Sequence, residues 1–251
     1  MKQILLGAAF AALTLAGAAY SPCSADAAMP DVVTKAVADP TRPKDDRDTD
    51  ANRLPAETIA FAGIKPGMVV GELFPGGGYF TRMISDVVGP AGKVYALETT
   101  RWKGAVESDQ KVAAEPGHGN VVVSGSAFGE FPVPEKFDLF WITQNYHDLH
   151  IKEYGNVDMA VFNKHVFDSL KPGATYFILD HQANGPMDDA DMAKMHRIAK
   201  AQLIAEVEAA GFKLVAEGHF LNRSSDDHTK PIFDASVKGR TDQYALKFVR
   251  P

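Results

Sequence analysis

The sequence predicts an α/β fold whose mostly parallel, doubly wound sheet has seven strands and ends in an antiparallel hairpin. Short apolar runs alternate with segments of helical periodicity from residue 54 onward. A glycine cluster, Gly76 to Gly78, follows the first run and precedes a helix. Acidic and polar residues follow several of the apolar runs, at the strand ends where open α/β sheets bind ligands.

Residues 1–28 have the parts of a signal peptide. Lys2 is followed by an apolar stretch over residues 4–19, and Ala25-Asp26-Ala27 resembles a cleavage site. The alternative is an uncleaved anchor, but the apolar run is short for a membrane span. We predict cleavage, no stable membrane span afterwards, and a periplasmic or secreted location. The only cysteine, Cys23, precedes the cut, so the mature chain is expected to have no thiol chemistry.

Charge and length limit the partners and the domain count. With 251 residues, of which 45% are apolar, the chain has enough material for one sizeable core, which we place over residues 54–251. The net charge is −6 and no basic block occurs, so a nucleic-acid partner is not expected. A small-molecule substrate is expected instead, and the oligomeric state is left open.

Residues 29–53 form a polar N-terminal arm in which acidic and basic side chains interleave. This pattern is typical of a solvated arm or a short helix. The alternative is a segment that folds over the pocket as a lid. Pro55 then takes the first position of a predicted helix over residues 56–62.

The remaining elements follow from periodicity and from glycine and proline punctuation. Lys-Pro-Gly turns precede the first and fifth strands, at residues 65–67 and 171–173. Gly211 ends a long predicted helix, and the polar loop over residues 222–242 is long enough to suggest a function. The predicted strands begin at residue 68 and span residues 93–97, 120–123, 137–143, 174–179, 212–217 and 243–249, and the predicted helices span residues 79–88, 157–170 and 188–210.

The strongest functional signal is the stretch from Met68 to Thr81. Its glycines let a ligand approach the backbone, and the helix that follows offers unpaired N–H groups. Glu72 ends the first strand, and Glu98, 20 residues beyond Gly78, ends the second, where a carboxylate can accept hydrogen bonds from both ribose hydroxyls. Ser126 follows the third strand at a position suited to an adenine. The alternative is a tight strand-to-helix turn without a ligand.

This order of elements, with Lys-Pro-Gly before the first and fifth strands, resembles the Rossmann-like fold of class I S-adenosylmethionine-dependent methyltransferases over roughly residues 54–249. More closely, the chain is similar to a group of exported bacterial predicted methyltransferases. The matching motifs are Pro75-Gly76-Gly77-Gly78-Tyr79-Phe80-Thr81, Asn145-Tyr146-His147-Asp148, Asp180-His181, His196-Arg197 and Arg240-Thr241-Asp242.

The resemblance implies methyl transfer from S-adenosylmethionine to a small molecule that the sequence does not identify. The implied cofactor-binding residues are Glu72, Pro75, Gly76, Gly78, Glu98, Ser126 and Asn145.

The glycine turn departs from the usual pattern of an acidic residue followed by three alternating glycines. Phe74 stands at the first glycine position, and Pro75 after it has a fixed φ and no N–H to donate. The departure and the export signal support an alternative function, an exported methyltransferase-fold binding protein without methyl-transfer activity. A nicotinamide-dependent oxidoreductase would also suit Glu98 but suits the turn less well.

His147 and His181 are the predicted general bases. They follow the fourth and fifth strands, so both should border the same crevice as Glu72. Methyl transfer depends mainly on alignment, but a base helps when the acceptor is a hydroxyl or an ammonium group, and imidazole suits neutral pH. The alternative for each is an ordinary polar loop side chain.

His147, Asp148, His150 and His181 could also suggest a metal site, but the two residues between His147 and His150 give no recognised ligand spacing, so no metal site is predicted. His196-Arg197 is expected within the long helix, either exposed or directed into the crevice, where a basic group would suit an anionic acceptor.

Overall fold

Seven strands form one mixed sheet in the computed structural model, which describes residues 29–251. Across the sheet their order is β3-β2-β1-β4-β5-β7-β6. β1 to β5 are parallel to one another, and β7 runs antiparallel to both β5 and β6, which confirms the predicted fold class. The strands are β1 (Val69–Leu73), β2 (Lys93–Thr99), β3 (Val121–Ser126), β4 (Phe137–Thr143), β5 (Leu170–His181), β6 (Lys213–Gly218) and β7 (Gln243–Val249).

Nine α-helices occur in the described part of the chain, and a 3-10 helix spans His147–His150. The predicted helix over residues 79–88 is confirmed, and Pro55 begins its helix as expected. None of the helices within residues 29–251 is long and apolar enough to cross a membrane. The predicted signal peptide lies outside the described residues. The helices are α1 (Asp31–Val37), α2 (Lys44–Asp48), α3 (Asp50–Arg53), α4 (Pro55–Ala62), α5 (Tyr79–Val88), α6 (Ala105–Ala113), α7 (Met159–Ser169), α8 (Asp189–Met195) and α9 (Lys200–Ala209).

Successive residues of each strand point to opposite sides of the sheet. Helices cover both sides, so the side chains on each face are buried. Phe140 of β4 packs in one cluster with Phe162 of α7 and Leu203 of α9. Its neighbour Trp141 packs in a second cluster with Met83 of α5. The two clusters fix the sheet between helical layers, so the carboxyl ends of β1, β2, β4 and β5 meet along one edge.

The long helix predicted over residues 188–210 is wrong. The chain leaves α8 at Met195, His196 takes a left-handed conformation with φ of 52°, and α9 begins at Lys200. Arg197 is fully buried, donates to the Gln182 carbonyl oxygen at 3.0 Å and pairs with Asp226 at 2.9 Å. These buried contacts outweigh the local helix preference and place His196 at the sheet edge.

The second Lys-Pro-Gly segment is not a turn before β5, as predicted, but an irregularity inside it. Leu170 pairs with Phe137, and the next pairing joins Thr175 to Leu139, so the residues between them bulge. Gly173 supports the bulge with φ of 78°, a conformation that costs glycine little.

The N-terminal arm packs against the domain through α1 to α3. Val33 is buried in the same cluster as α5. Arg42 is buried and donates to both carboxylate oxygens of Asp50 at 2.8 Å. The Tyr79 hydroxyl donates to Asp50 at 2.6 Å, so the arm is fastened to the first residue of α5, directly after the glycine turn.

Asp50→Ala should destabilise the fold, because it leaves the Arg42 guanidinium buried without its carboxylate. We expect the free energy of unfolding to fall by about 2–3 kcal/mol in urea denaturation followed by circular dichroism. Asp48→Ala is the matched control, since Asp48 pairs with Lys44 at an exposed site, and it should change stability by less than about 0.5 kcal/mol. Equal losses in both variants would contradict this role of Asp50.

Candidate functional site

The glycine turn is held between β2 and α6. Phe74 has φ of 52°, and its amide donates to the Leu97 carbonyl oxygen at 3.0 Å, which ties the start of the turn to β2. Gly78 is the N-cap residue of α5 and has φ of 85°, and a Cβ there would lie 2.6 Å from the Val112 side chain. Glycine is therefore required where α6 approaches the turn.

Three carboxyl groups are buried around this turn: Glu72 of β1, Glu98 of β2 and Asp109 of α6. Glu98 accepts a hydrogen bond from the Thr99 amide through Oε1 at 2.7 Å. The other oxygen of Glu98, Oε2 of Glu72 and both oxygens of Asp109 have no hydrogen-bond partner among the described residues. A buried polar group left unpaired costs about 1–3 kcal/mol, so the arrangement suits a ligand that brings hydrogen-bond donors.

Burial also changes the ionisation of these carboxyl groups. Burial raises the pKa of Glu72 to about 8. Burial, reinforced by the charge of Glu98, raises the pKa of Asp109 to about 7. Burial raises the pKa of Glu98 as well, and the hydrogen bond from the Thr99 amide offsets only part of that effect. Without a ligand, Glu72 therefore holds its proton at neutral pH.

An aromatic cluster lies beside the carboxyl groups at the same edge of the sheet. The Phe74 ring is stacked on Phe128, with centroids 5.0 Å apart and planes 13° apart. Trp102 meets the edge of Phe74 at 5.1 Å, and Tyr154 lies 5.9 Å from Phe128. These four rings come from the segments that follow β1, β2, β3 and β4, so all four lie at the carboxyl ends of those strands.

A histidine cluster follows β4. Nδ1 of His147 lies 2.7 Å from Oδ1 of Asp180, and the His147 backbone amide donates to the other Asp180 oxygen at 2.9 Å. On the opposite side of the ring, Nε2 of His147 lies 3.2 Å from Oδ1 of Asp148 and 3.3 Å from Nδ1 of His196. The 3-10 helix and the junction between α8 and α9 thus bring three polar side chains to one point.

The two predicted bases differ in their protonation. Burial disfavours the His147 imidazolium, but the charges of Asp180 and Asp148 outweigh burial and raise the pKa of His147 to about 10. Burial opposes ionisation of Asp148, yet the charge of His147 holds the pKa of that carboxyl well below its usual range. For His181, burial lowers the pKa to about 3. In this structure His181 is therefore the neutral imidazole at pH 7 and His147 is the charged one.

Two adjoining cavities open over this edge. One of about 320 Å³ is lined by Asn145, both predicted bases and His196. A second of about 260 Å³ shares His181 with the first and reaches Arg53 of the arm. Ile232 and Phe233 from the long polar loop line both cavities, so this loop and the arm form their walls.

The predicted site residues fall into two groups. Asn145 lies with the histidine cluster, where its amide donates to Asp148 at 2.8 Å. Ser126 ends β3, and its carbonyl oxygen accepts from the Thr100 amide at 2.8 Å. The residues around the glycine turn do not line the two cavities described above; they are Glu72, Pro75, Gly76, Gly78 and Glu98.

Sequence reasoning missed Asp109, and it placed His196 inside a long helix rather than between α8 and α9. Val106, Asp109 and Val112 recur at three-residue spacing, which would have placed Asp109 on the inner face of a helix had α6 been predicted. His196 carries no comparable signal, because its position depends on the break between α8 and α9.

No protein-family model matches the sequence, and no curated protein matches it. Solved structures do match. A SAM-dependent methyltransferase from Aquifex aeolicus aligns with a TM-score of 0.57 and 18% identity over 78% of this chain and 89% of that one. The glycopeptide N-methyltransferase MtfA complexed with (S)-adenosyl-L-homocysteine aligns with a TM-score of 0.55 and 17% identity over 80% and 87%. The [4+2]-cyclase SpnF aligns with a TM-score of 0.60 and 19% identity over 80% and 82%.

At these identities the likeness shows the fold. The chain has the α/β, Rossmann-like fold of class I S-adenosylmethionine-dependent methyltransferases.

Glu72→Gln should flatten the pH dependence of stability. The pKa of Glu72 is raised from 4.5 to about 8 in the folded state, so the folded state binds the extra proton. Its contribution is greatest below pH about 4.5 and is lost as the pH rises toward 8, a change of a few kcal/mol at most. Thermal melts of wild type and variant between pH 5 and pH 8 measure this.

Glu107→Gln is the control, because Glu107 lies on the exposed side of α6. It should retain the wild-type slope of melting temperature against pH. The same slope in Glu72→Gln as in wild type would contradict the raised pKa.

Proposed function

We propose that this protein is an S-adenosylmethionine-dependent methyltransferase that acts on a small molecule in the periplasm or outside the cell. The observation that carries the proposal is the pair of unpartnered carboxylate oxygens on Glu72 and Glu98, beside a glycine turn, in the methyltransferase fold. The signal peptide predicted over residues 1–28 supports the location.

The chemistry of the buried groups fits S-adenosylmethionine. The molecule has two ribose hydroxyls and an ammonium group as hydrogen-bond donors, and its sulfonium is positively charged. Glu98 would accept from the ribose hydroxyls, while Glu72 and the glycine turn would face the amino-acid part. A cationic ligand would also favour the ionised forms of the three buried carboxyl groups, those of Glu72, Glu98 and Asp109. The bound cofactor would supply an electrophilic methyl group.

Access to this site requires the aromatic cluster to open. Phe74 is only 5% exposed because its ring is stacked on Phe128 and capped by Trp102. Rotation of Phe74 out of the stack would leave the flat face of Phe128 for an adenine ring to stack on. The same rings would then exclude water from the reacting atoms.

The acceptor would enter through the two cavities lined by His181. His181 is held by Thr241, whose hydroxyl lies 2.7 Å from its Nδ1. Its neutral imidazole would accept a hydrogen bond from a hydroxyl group of the molecule to be methylated, and this bond would orient the hydroxyl oxygen. Ile232 and Phe233 would close over the acceptor, which favours the alignment that methyl transfer needs.

A second candidate is a binding protein that keeps the fold without transferring a methyl group. Phe74 favours it, since its ring, stacked on Phe128, would have to move before the proposed cofactor site could admit a ligand. The [4+2]-cyclase with the same fold also illustrates that this fold is not restricted to methyl transfer. Formation of S-adenosylhomocysteine from S-adenosylmethionine in the presence of candidate acceptors separates the two functions.

Calorimetric titration with S-adenosylhomocysteine tests the cofactor site. We expect micromolar binding to wild type and a loss of about tenfold to a hundredfold in Glu98→Gln, because the amide replaces a charged acceptor of the ribose hydroxyls. Glu107→Gln, on the exposed side of α6, should bind like wild type. Absence of binding to the folded wild-type protein, or equal binding by Glu98→Gln, would overturn the proposed site.

A further inference from the structure

Three potential ligand atoms converge at the wall of the larger cavity. Nε2 of His147, Oδ1 of Asp148 and Nδ1 of His196 are separated pairwise by 3.1 to 3.3 Å. The first two come from the 3-10 helix after β4, and the third comes from the junction between α8 and α9. Elements distant in the chain therefore present two imidazole nitrogens and one carboxylate oxygen to a common point.

The spacing matches that of ligands on a metal ion. With metal–ligand bonds of about 2.1 Å, neighbouring ligand atoms lie about 3.0 Å apart in an octahedral site and about 3.4 Å apart in a tetrahedral site. All three observed separations fall within this interval. The three atoms thus already have the mutual distances that a single ion requires.

Neighbouring groups orient two of the ligands. Asp180 accepts from the His147 backbone amide and faces its Nδ1 at 2.7 Å, which directs Nε2 toward the other two ligand atoms. Asn145 donates to the second oxygen of Asp148, so Oδ1, which faces His147 and His196, is the oxygen available to the ion. A carboxylate behind a ligating histidine and a hydrogen bond to a ligating carboxylate are the usual outer partners of protein metal sites.

The site is open on one side. His147, Asp148 and His196 all line the cavity of about 320 Å³. Three protein ligands with remaining positions open to a cavity are typical of sites where a metal binds a substrate or a water, whereas structural sites are closed by four ligands. Two imidazoles and one carboxylate suit divalent ions such as Zn²⁺, Fe²⁺ or Co²⁺ better than Mg²⁺ or Ca²⁺.

We propose that His147, Asp148 and His196 bind one divalent first-row transition-metal ion whose open positions take a small oxygen ligand in the cavity. Binding would release to solvent the Nε2 proton that the His147 imidazolium carries in the metal-free protein. Metal binding does not depend on the proposed methyl transfer. In a methyltransferase the ion would hold the acceptor oxygen next to His181 and polarise it, while in a binding protein it would hold the ligand.

Titration of the tag-free protein with Co²⁺ tests this site. The protein is first stripped with a chelator, and metal removal is checked by elemental analysis. We expect saturable binding of one Co²⁺ per chain with visible ligand-field absorption, displaced by Zn²⁺. Azide should shift the spectrum, because an open position accepts a further ligand. Absence of Co²⁺ binding to the folded protein would overturn the proposal.

Variants identify the ligands. Asp148→Asn and His196→Gly should each weaken Co²⁺ binding by more than about tenfold, and Asp180→Asn by about tenfold to a hundredfold. Glycine suits the left-handed backbone of residue 196. His150→Ala is the matched control, since His150 lies on the same 3-10 helix but pairs with Glu206, and it should bind like wild type. Unchanged affinity in both ligand variants, or loss in His150→Ala alone, would contradict the assignment.

Discussion

Buried carboxylates without hydrogen-bond partners are the constraint on which the functional interpretation depends. Glu72 and Glu98 are the next-to-last residues of neighbouring parallel strands, so the register of β1 and β2 places both at one edge, and Asp109 of α6 adds a third carboxyl. In the ligand-free protein these buried, unpaired carboxyl groups lower the stability of the fold. Ligand binding is the simplest physical reason, because a donor-rich, cationic molecule supplies both the hydrogen bonds and the charge that the site lacks.

The two halves of the site are joined by aromatic rings. Phe74 follows the strand that carries Glu72, whereas Tyr154 contacts both Phe128 and His196. Trp102 contacts Phe74 and also lines the cavity that holds the histidine cluster. A change in the stack that admits a ligand beside the carboxylates would therefore alter the wall of the neighbouring cavity, which gives cofactor and acceptor sites a direct physical connection.

The fold was predictable from local signals, but only part of the site was. Apolar periodicity and turn residues predicted all seven strands and α5, because each of these elements depends on a pattern within a few neighbouring residues. The predicted ends of β1 and β2 also gave the positions of Glu72 and Glu98 at the sheet edge. The break at His196 was not predictable, since the buried Arg197 contacts that enforce it lie in a distant loop. The same tertiary contacts bring His196 to His147, so no spacing in the sequence indicates that pairing.

The most direct test is the number of protons released when S-adenosylhomocysteine binds at pH 7, measured calorimetrically in two buffers of different ionisation enthalpy. Because burial raises the pKa of Glu72 to about 8, the free site holds a proton that hydrogen-bond donors of the ligand should expel. We expect a net release in wild type that is smaller in Glu72→Gln. Binding with no proton release, or the same release in both proteins, would contradict the assignment of these carboxylates to the cofactor.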